Sequence, residues 1–370
     1  MDFNHSEDRQ MLADTLARYL QQRYPTGVRH KISSSDTGWS SEHWSALAEL
    51  GVVGALFPEE AGGFGGSGFD IAAVFEQFGK ALVVEPFLGT LLAGRILSKV
   101  QGQKQLLEEV IAGTVPLAFA HEEPQSRYDL AQVAVRAEQN GGVWTLSGCK
   151  AVVPQLEAAN QILVSARIAG TPGEESGIGL FLTDVASSGS QVRGYPLVDG
   201  GRGGELILAG SRATLIAENG YSLIEDAVAT GLVALSWEAI GVMDVLKAAT
   251  LDYLRTRKQF GVPIGKFQAL QHRMANMSLE IEQARSAGIN AAAALDETRV
   301  ARERAVSAAK FTIGRVGTLV AEEAIQLHGG IGMTWELPLS HYAKRLTMIG
   351  HQLGDEDHHL DRFVALGRVA

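Results

Sequence analysis

The segment Arg255-Thr-Arg257-Lys258-Gln259-Phe260-Gly-Val-Pro-Ile-Gly-Lys266 sets cations, an amide and an aromatic ring beside a Gly/Pro turn. Cations at the end of a long helix complement the negative carboxyl end of its dipole. A guanidinium fork at Arg257 equally suits a pyrophosphate, and spacing alone leaves both readings open. Downstream, Gln326-Leu-His-Gly329-Gly330-Ile-Gly-Met-Thr-Trp335-Glu336 follows a long helical stretch. A glycine pair there is an expected helix stop, the safer reading by spacing. It also lets a flat or phosphorylated ligand lie close to the backbone.

Two other clusters carry less. Gly63-Phe-Gly65-Gly-Ser-Gly68 fits a dinucleotide fingerprint, but it lies in a helical region without βαβ alternation, so it reads as a loop. Asp355-Glu356-Asp357-His358-His359 resembles a metal cluster. Neighbours on a helix diverge by about 100°, so at most two of these face one ion, and carboxylates in a first helical turn are the simpler reading. No metal is expected.

The elements that position these residues follow from periodicity. Residues 1–113 read as helical: Met11, Leu12, Leu16 and Leu20 share a face capped by Ser6, and further helices hold Trp44–Leu50, Ile71–Phe78, Leu91–Leu97 and Leu106–Ile111. Residues 114–218 read as a β-barrel-like domain, with short apolar or alternating runs at Leu117, Val133, Val143, Ile162 and Ile178 separated by turn residues. Residues 219–370 return to helical spacing. Leu270, Met274, Met277, Ile281 and Ala284 form one stripe, and Ala309, Ile313, Val316, Val320, Ala324 and Leu327 another, as in a four-helix bundle. The fold class is α+β, ordered helical, β, helical.

With 46% hydrophobic and 20% charged residues, the chain has ample core. A net charge of −10 argues against nucleic-acid partners. The lone Cys149 forms no internal disulfide. The acidic start, Met1-Asp-Phe-Asn-His-Ser-Glu-Asp, lacks the order of a signal peptide. No uninterrupted apolar run reaches the ~18 residues of a membrane span. A cytoplasmic protein is expected.

Arg257-Lys-Gln-Phe-Gly261 and Gln326-Leu-His-Gly-Gly330, in an α–β–α chain, resemble the acyl-CoA dehydrogenase family. Ala48-Glu-Leu-Gly51, Phe57-Pro-Glu-Glu-Ala-Gly-Gly-Phe-Gly-Gly66 and Glu76-Gln-Phe-Gly79 extend the likeness over essentially the whole chain. The resemblance implies oxidation of an acyl-CoA to the 2,3-enoyl-CoA on FAD. A carboxylate takes the α-proton, the flavin takes the β-hydride, and electrons pass to an electron-transferring flavoprotein. It also implies that Arg257, Gln259, Phe260, Gln326, Gly329 and Gly330 contact the FAD of a neighbouring subunit.

The departures from that pattern are specific. Where the family carries Thr-Glu-Pro-x-Ala-Gly-Ser-Asp to hold flavin, this chain has Glu122-Glu123-Pro124-Gln125-Ser126-Arg127-Tyr128-Asp129. The flavin-shielding Trp-Ile-Thr after Gly-x-Lys has become Val152-Val153-Pro154. The two usual base positions fall on Leu353 and Gly231, with Glu238 and Asp355 as weak substitutes. This pattern is similar to the small, base-lacking subunit of heteromeric enzymes such as pimeloyl-CoA dehydrogenase and those of steroid side-chain breakdown. A homologous partner, in a heterotetramer, then supplies the base and much of the flavin site. The alternatives are a self-sufficient homo-oligomer with an unorthodox base and a non-catalytic scaffold.

Overall fold

A computed structural model describes residues 6–368; residues 1–5 and 369–370, the extreme ends of the first and last expected domains and most of the acidic start, lie outside it. Six helices come first: α1 Glu7–Arg23, α2 Thr26–Ser33, α3 Ser41–Glu49, α4 Gly68–Ala81, α5 Phe87–Leu97 and α6 Lys104–Ile111. Seven strands follow: β1 Leu117–Ala120, β2 Arg136–Asn140, β3 Val143–Pro154, β4 Gln161–Arg167, β5 Ile178–Asp184, β6 Ser190–Pro196 and β7 Arg202–Ala217. The remainder is α7 Tyr221–Thr256, the small pair β8 Lys258–Gln259 and β9 Val262–Pro263, then α8 Gln268–Ala293, α9 Arg299–His328, α10 Leu339–His351 and α11 Glu356–Gly367. The order is helical, strand, helical. Helix α2 and strands β6 to β9 are additions to the elements legible in sequence.

Packing groups these elements into two units. Among the described residues, one comprises 6–29, 67–83 and 232–368; the other, 30–66 and 84–231.

In the helical unit, the apolar stripe of α8 is buried at Met274, Met277, Ile281 and Ala284 but only half-buried at Leu270, near the start of the helix, and that of α9 is buried from Ala309 to Leu327. Glycine sets the approach of α4 to α7. A Cβ on Gly79 would lie 2.0 Å from the Glu238 carbonyl, and one on Gly241 2.1 Å from that of Glu76. Any larger residue drives the helices apart. Ser67 and Asp70 cap α4 reciprocally, and Arg9 on α1 reaches Asp70 at 2.6 Å.

In the strand unit, the sheet runs β1-β4-β2-β3-β7-β5, with β6 on β7. An additional β4–β5 pairing closes β4-β2-β3-β7-β5 into a ring, which removes the open edges of those five strands. Leu146, Ile162, Val164, Phe181, Leu206 and Leu208 fill it. Trp44 packs on the Phe87 ring at 4.8 Å and donates its indole N–H to the Gly113 carbonyl at 2.7 Å. The polar tip of a buried aromatic is thereby satisfied. A Cβ on Gly63, Gly65 or Gly66 would lie within 3 Å of the backbone of residues 54–58, a folded loop with no strand entering it.

One helix, α7, is long and apolar enough to cross a membrane, although no uninterrupted apolar run marks it. Its most apolar window is 89% buried within the protein, as in a core helix.

Candidate functional site

Where α7 ends, the chain reverses through β8 and β9, pairing Lys258 with Pro263 and Gln259 with Val262. The two turn residues, Phe260 and Gly261, have φ of 51° and 81°. Two left-handed residues make the tight hairpin whose twist matches its strands, comfortable for glycine and costly for phenylalanine. The Phe260 ring is 90% exposed. Tyr253 on α7 stacks on His328 of α9 with ring centres 4.5 Å apart. That contact brings the two family motifs to one end of the helical unit. His328 is buried and donates its Nδ1 proton to the Ala324 carbonyl at 2.8 Å, since a ring nitrogen facing a carbonyl must carry the hydrogen. Helix α9 then stops at Gly329, φ 68°. A Cβ on Gly329 or Gly330 would touch nothing within 4 Å, so the backbone there is open to a ligand.

Arg255, Arg257, Lys258 and Lys266 are exposed and, among the described residues, take part in no ion pair or side-chain hydrogen bond. Elsewhere in the same unit cations are matched: Arg273 with Glu323 at 2.6 Å, Arg285 with Asp244 at 2.5 Å, Arg315 with Glu280 at 2.5 Å. A cation cluster without acids beside open glycine backbone has the chemistry of a phosphate site, and its donor set fits the pyrophosphate of FAD. Gln259 and Gln326 are exposed at the same two segments.

The acids nominated from sequence sit differently. Glu238 is buried and gripped by Arg345, Nε to Oε1 at 2.5 Å and Nη2 to Oε2 at 2.7 Å. Asp355 caps α11, accepting the His358 amide at 2.9 Å. Leu353 lies at φ 56°, followed by Gly354 at φ 114°. The fully buried Lys310 holds this loop by donating to the carbonyls of Gly350 (3.0 Å) and Gly354 (2.5 Å). His359 donates from Nε2 to the Leu353 carbonyl at 3.0 Å; burial, then the neighbouring Lys310, lowers its pKa to about 3. Gly231 is buried within α7.

The strand unit holds a polar centre that sequence reasoning missed. Lys150, wholly buried, donates to Glu123 Oε1 at 2.7 Å, to the His121 carbonyl at 2.9 Å and to Ser165 Oγ at 3.0 Å. Glu123 also accepts the amides of Ala134 (2.8 Å) and Val135 (3.1 Å). Burial lowers Lys150 to about 8 against the opposing pull of Glu123; burial and then Lys150 lower His121 to about 3. Both residues of the ion pair belong to family motifs, Glu123 to the Glu123-Pro124 pair and Lys150 to the Gly-x-Lys turn, which is Gly148-Cys149-Lys150 in this chain. Their partnership has no local signal because 27 residues separate them.

Around this centre the departed flavin motifs are strained. Arg127 and Tyr128 have φ of 46° and 69° in a turn closed by the Asp129 amide on the Ser126 carbonyl at 2.9 Å. Val152, half exposed, has φ 53° where the β3–β7 register shifts between Lys150 and Val153. A β-branched residue there is a real outlier. Gln155, φ 48°, donates to the carbonyls of Val84 and Glu85. No described side chain here reproduces the Trp face or Thr hydroxyl of the family pattern, so this half does not match that flavin-holding pattern.

Among the described residues no three His, Cys, Asp or Glu side chains gather to hold a metal. The model of the acyl-CoA dehydrogenase N-terminal domain matches residues 6–110, and that of the C-terminal domain residues 218–362. The chain is 28% identical to acyl-CoA dehydrogenase IpdE2 of Mycolicibacterium smegmatis, over 97% of its own length and 99% of the relative's. It is 31% identical to 3-sulfinopropanoyl-CoA desulfinase of Paraburkholderia xenovorans, covering 82% and 81%. Among solved structures, a Tcur3481–Tcur3483 steroid ACAD variant superposes with TM-score 0.89 at 28% identity, covering 98% and 99%. The ChsE4–ChsE5 complex of Mycobacterium tuberculosis matches with TM-score 0.89 over 100% of both chains; at 23% identity it speaks to the fold.

Proposed function

Because the chain belongs to the acyl-CoA dehydrogenase family, whose members are FAD flavoproteins, we propose that it is the base-lacking subunit of a heteromeric acyl-CoA dehydrogenase. The observation that carries this is the unpaired Arg257 cluster beside open Gly329–Gly330, in a chain whose usual base positions are Leu353 and Gly231. In this reading Arg257 would neutralise the pyrophosphate, and Gln259, Phe260 and Gln326 would help hold the pyrophosphate and adenosine, with Gly329 and Gly330 letting the ligand approach the backbone. Bound FAD supplies the acceptor for the substrate's β-hydride. Leu353 accepts no proton, so the α-proton goes to a carboxylate of the homologous partner. Glu238 and Asp355 are structural in this scheme, one matched by Arg345 and the other capping α11.

The finer points belong to the same proposal. The assembly is a heterotetramer, the substrate is an acyl-CoA thioester, electrons leave through an electron-transferring flavoprotein, and the work is cytoplasmic. The division at 1–113, 114–218 and 219–370 into helical, strand and helical domains, the last interrupted by the small β8–β9 pair, belongs to it as well. The Tcur3481–Tcur3483 steroid ACAD, 28% identical and a pairing of two chains, supports the heteromeric reading.

The test is flavin absorbance per chain after purification alone and after co-expression with a base-bearing homologue. Flavin and acyl-CoA oxidation are expected only in the mixture. Stoichiometric FAD and turnover from this chain alone overturn the proposal.

A further inference from the structure

A hollow of about 500 Å³ lies on the outer face of the strand unit, at the Val143 end of β3 and so at the far end of that strand from Val152-Val153-Pro154. The volume lies in the range of small-molecule sites. Register explains which side chains meet there. Trp144 pairs with Ala213 and Leu182 with Thr214; continuing those registers sets Val143 beside Thr214 and Asp184 opposite Arg212. Alternation along each strand turns these side chains outward, while Phe181 and Leu215 face the core.

One cation and one anion line the hollow, Arg212 and Asp184. Opposite charges facing each other on neighbouring strands ordinarily close on one another. Two other arginines of β6 and β7 do find acids: Arg193 meets Glu205 at 3.1 Å, and Arg202 meets Glu157 at 2.6 Å. Arg212 and Asp184 stay apart. The exposed Arg212 guanidinium takes part in no ion pair or side-chain hydrogen bond among the described residues. Asp184 accepts the Ala186 amide on Oδ1 at 2.8 Å, and its Oδ2 has a long contact, 3.4 Å, from the Gln161 amide. The carboxylate therefore keeps unused acceptor capacity. The Arg212 backbone is fixed, its carbonyl accepting the hydroxyls of Thr183 at 2.9 Å and Ser187 at 3.1 Å. Val143, Leu182 and Ile216 supply apolar wall.

We propose that this hollow binds a small zwitterion with an apolar arm, of the class of the aliphatic α-amino acids. Its carboxylate takes the Arg212 fork, its ammonium takes Asp184, and its side chain lies against Val143, Leu182 and Ile216. Charge decides the ligand class. A carboxylate alone is repelled by Asp184, and an amine alone by Arg212. A neutral apolar molecule displaces water from both charges and answers neither. A zwitterion answers both. The inference stands apart from the flavin proposal: it shares no residue with that site and needs neither FAD nor a second chain.

The experiment is calorimetric titration of the full chain with L-leucine and with its two singly charged analogues, 4-methylpentanoate and isopentylamine. Leucine is expected to bind saturably, at least about tenfold tighter than either analogue, because each lacks one charge-assisted contact. The substitutions are expected to give a crossed pattern. Arg212→Gln weakens leucine about tenfold and leaves isopentylamine no weaker; Asp184→Asn weakens leucine about tenfold and leaves 4-methylpentanoate no weaker. Asp184→Asn retains an oxygen for the Ala186 amide, so the turn is kept. Thr214→Trp, at an exposed position, fills the hollow and is expected to abolish binding of all three. Three results each overturn the proposal: no saturable leucine binding, an analogue that binds as tightly as leucine (the mark of a peptide terminus as occupant), or leucine binding indifferent to these substitutions. Flavin content measured in parallel keeps this outcome separate from that of the dehydrogenase proposal.

Discussion

At the end of the helical unit that carries Arg257 and Gly330, four cations stand in water without partners and the glycine backbone is bare. At the centre of the strand unit, Lys150 has three acceptors, Glu123 answers it with two further backbone amides, and no water reaches the ammonium. Under the proposed function both regions belong to the holding of one cofactor. The first then keeps groups whose partners come from outside the chain. The second has turned inward: its polar atoms satisfy one another, and its outward residues, Arg127, Tyr128 and Val152, occupy backbone conformations that glycine tolerates better. A site that gives and a site that has closed are what the proposed division of the enzyme between two chains predicts.

The comparison can be broken most forcefully at the closed centre. Lys150→Met leaves Glu123 buried without its cation and is expected to cost about 3–5 kcal/mol, read from denaturant midpoints. The double substitution with Glu123→Gln is expected to cost less than the sum of the singles. A loss below about 1 kcal/mol would mean the centre is wet and the contrast false.

Acid is the next lever. His121 and His359 are neutral in the fold down to about pH 3, whereas an unfolded histidine takes a proton near 6.5. Between those values the unfolded chain binds more protons, so stability falls as pH drops, by up to roughly tenfold in the folding equilibrium per histidine and pH unit. Urea midpoints measured from pH 7 to 4 check the slope, and His121→Phe is expected to flatten it.

At the open end the effects are on binding alone. Arg257→Gln is expected to shift stability by less than about 0.5 kcal/mol, as an exposed and unpaired residue should. In the co-expressed complex it is expected to reduce FAD affinity by about tenfold, read by flavin release on dilution. The smallest expected change is a gain: Arg127→Gly is expected to stabilise the chain by about 1 kcal/mol by relieving a left-handed residue. No gain would mean the turn's side chains repay their strain within this chain.

Much of this was readable before the fold was seen. Ser6, Leu16 and Leu20, and the Met274–Ala284 stripe, announce helices because a buried face repeats every three or four residues. Strand β7 escaped because Gly203, Gly204, Gly210 and Ser211 interrupt its alternation; it forms through pairing with β3, β5 and β6, which no local window contains. The cation and glycine motifs were visible, but their meeting depends on Tyr253 stacking with His328, 75 positions later. The fate of Glu238 was equally hidden, since Arg345 lies 107 residues away and nothing in either neighbourhood names the other.

Helix α7 has a further consequence for how the protein is made. Its most apolar window is one a bilayer would accept, and only part of its cover, α4, precedes it in the chain. The rest comes later: Gly288 on α8 accepts the Trp237 indole proton, and Arg345 on α10 takes Glu238. The ribosome therefore displays a half-covered greasy rod before the remainder of its cover has been translated. Chains stalled or truncated ahead of α8 are the ones that chaperones must hold, and the length of that interval sets how strongly the cell's yield of this protein depends on them.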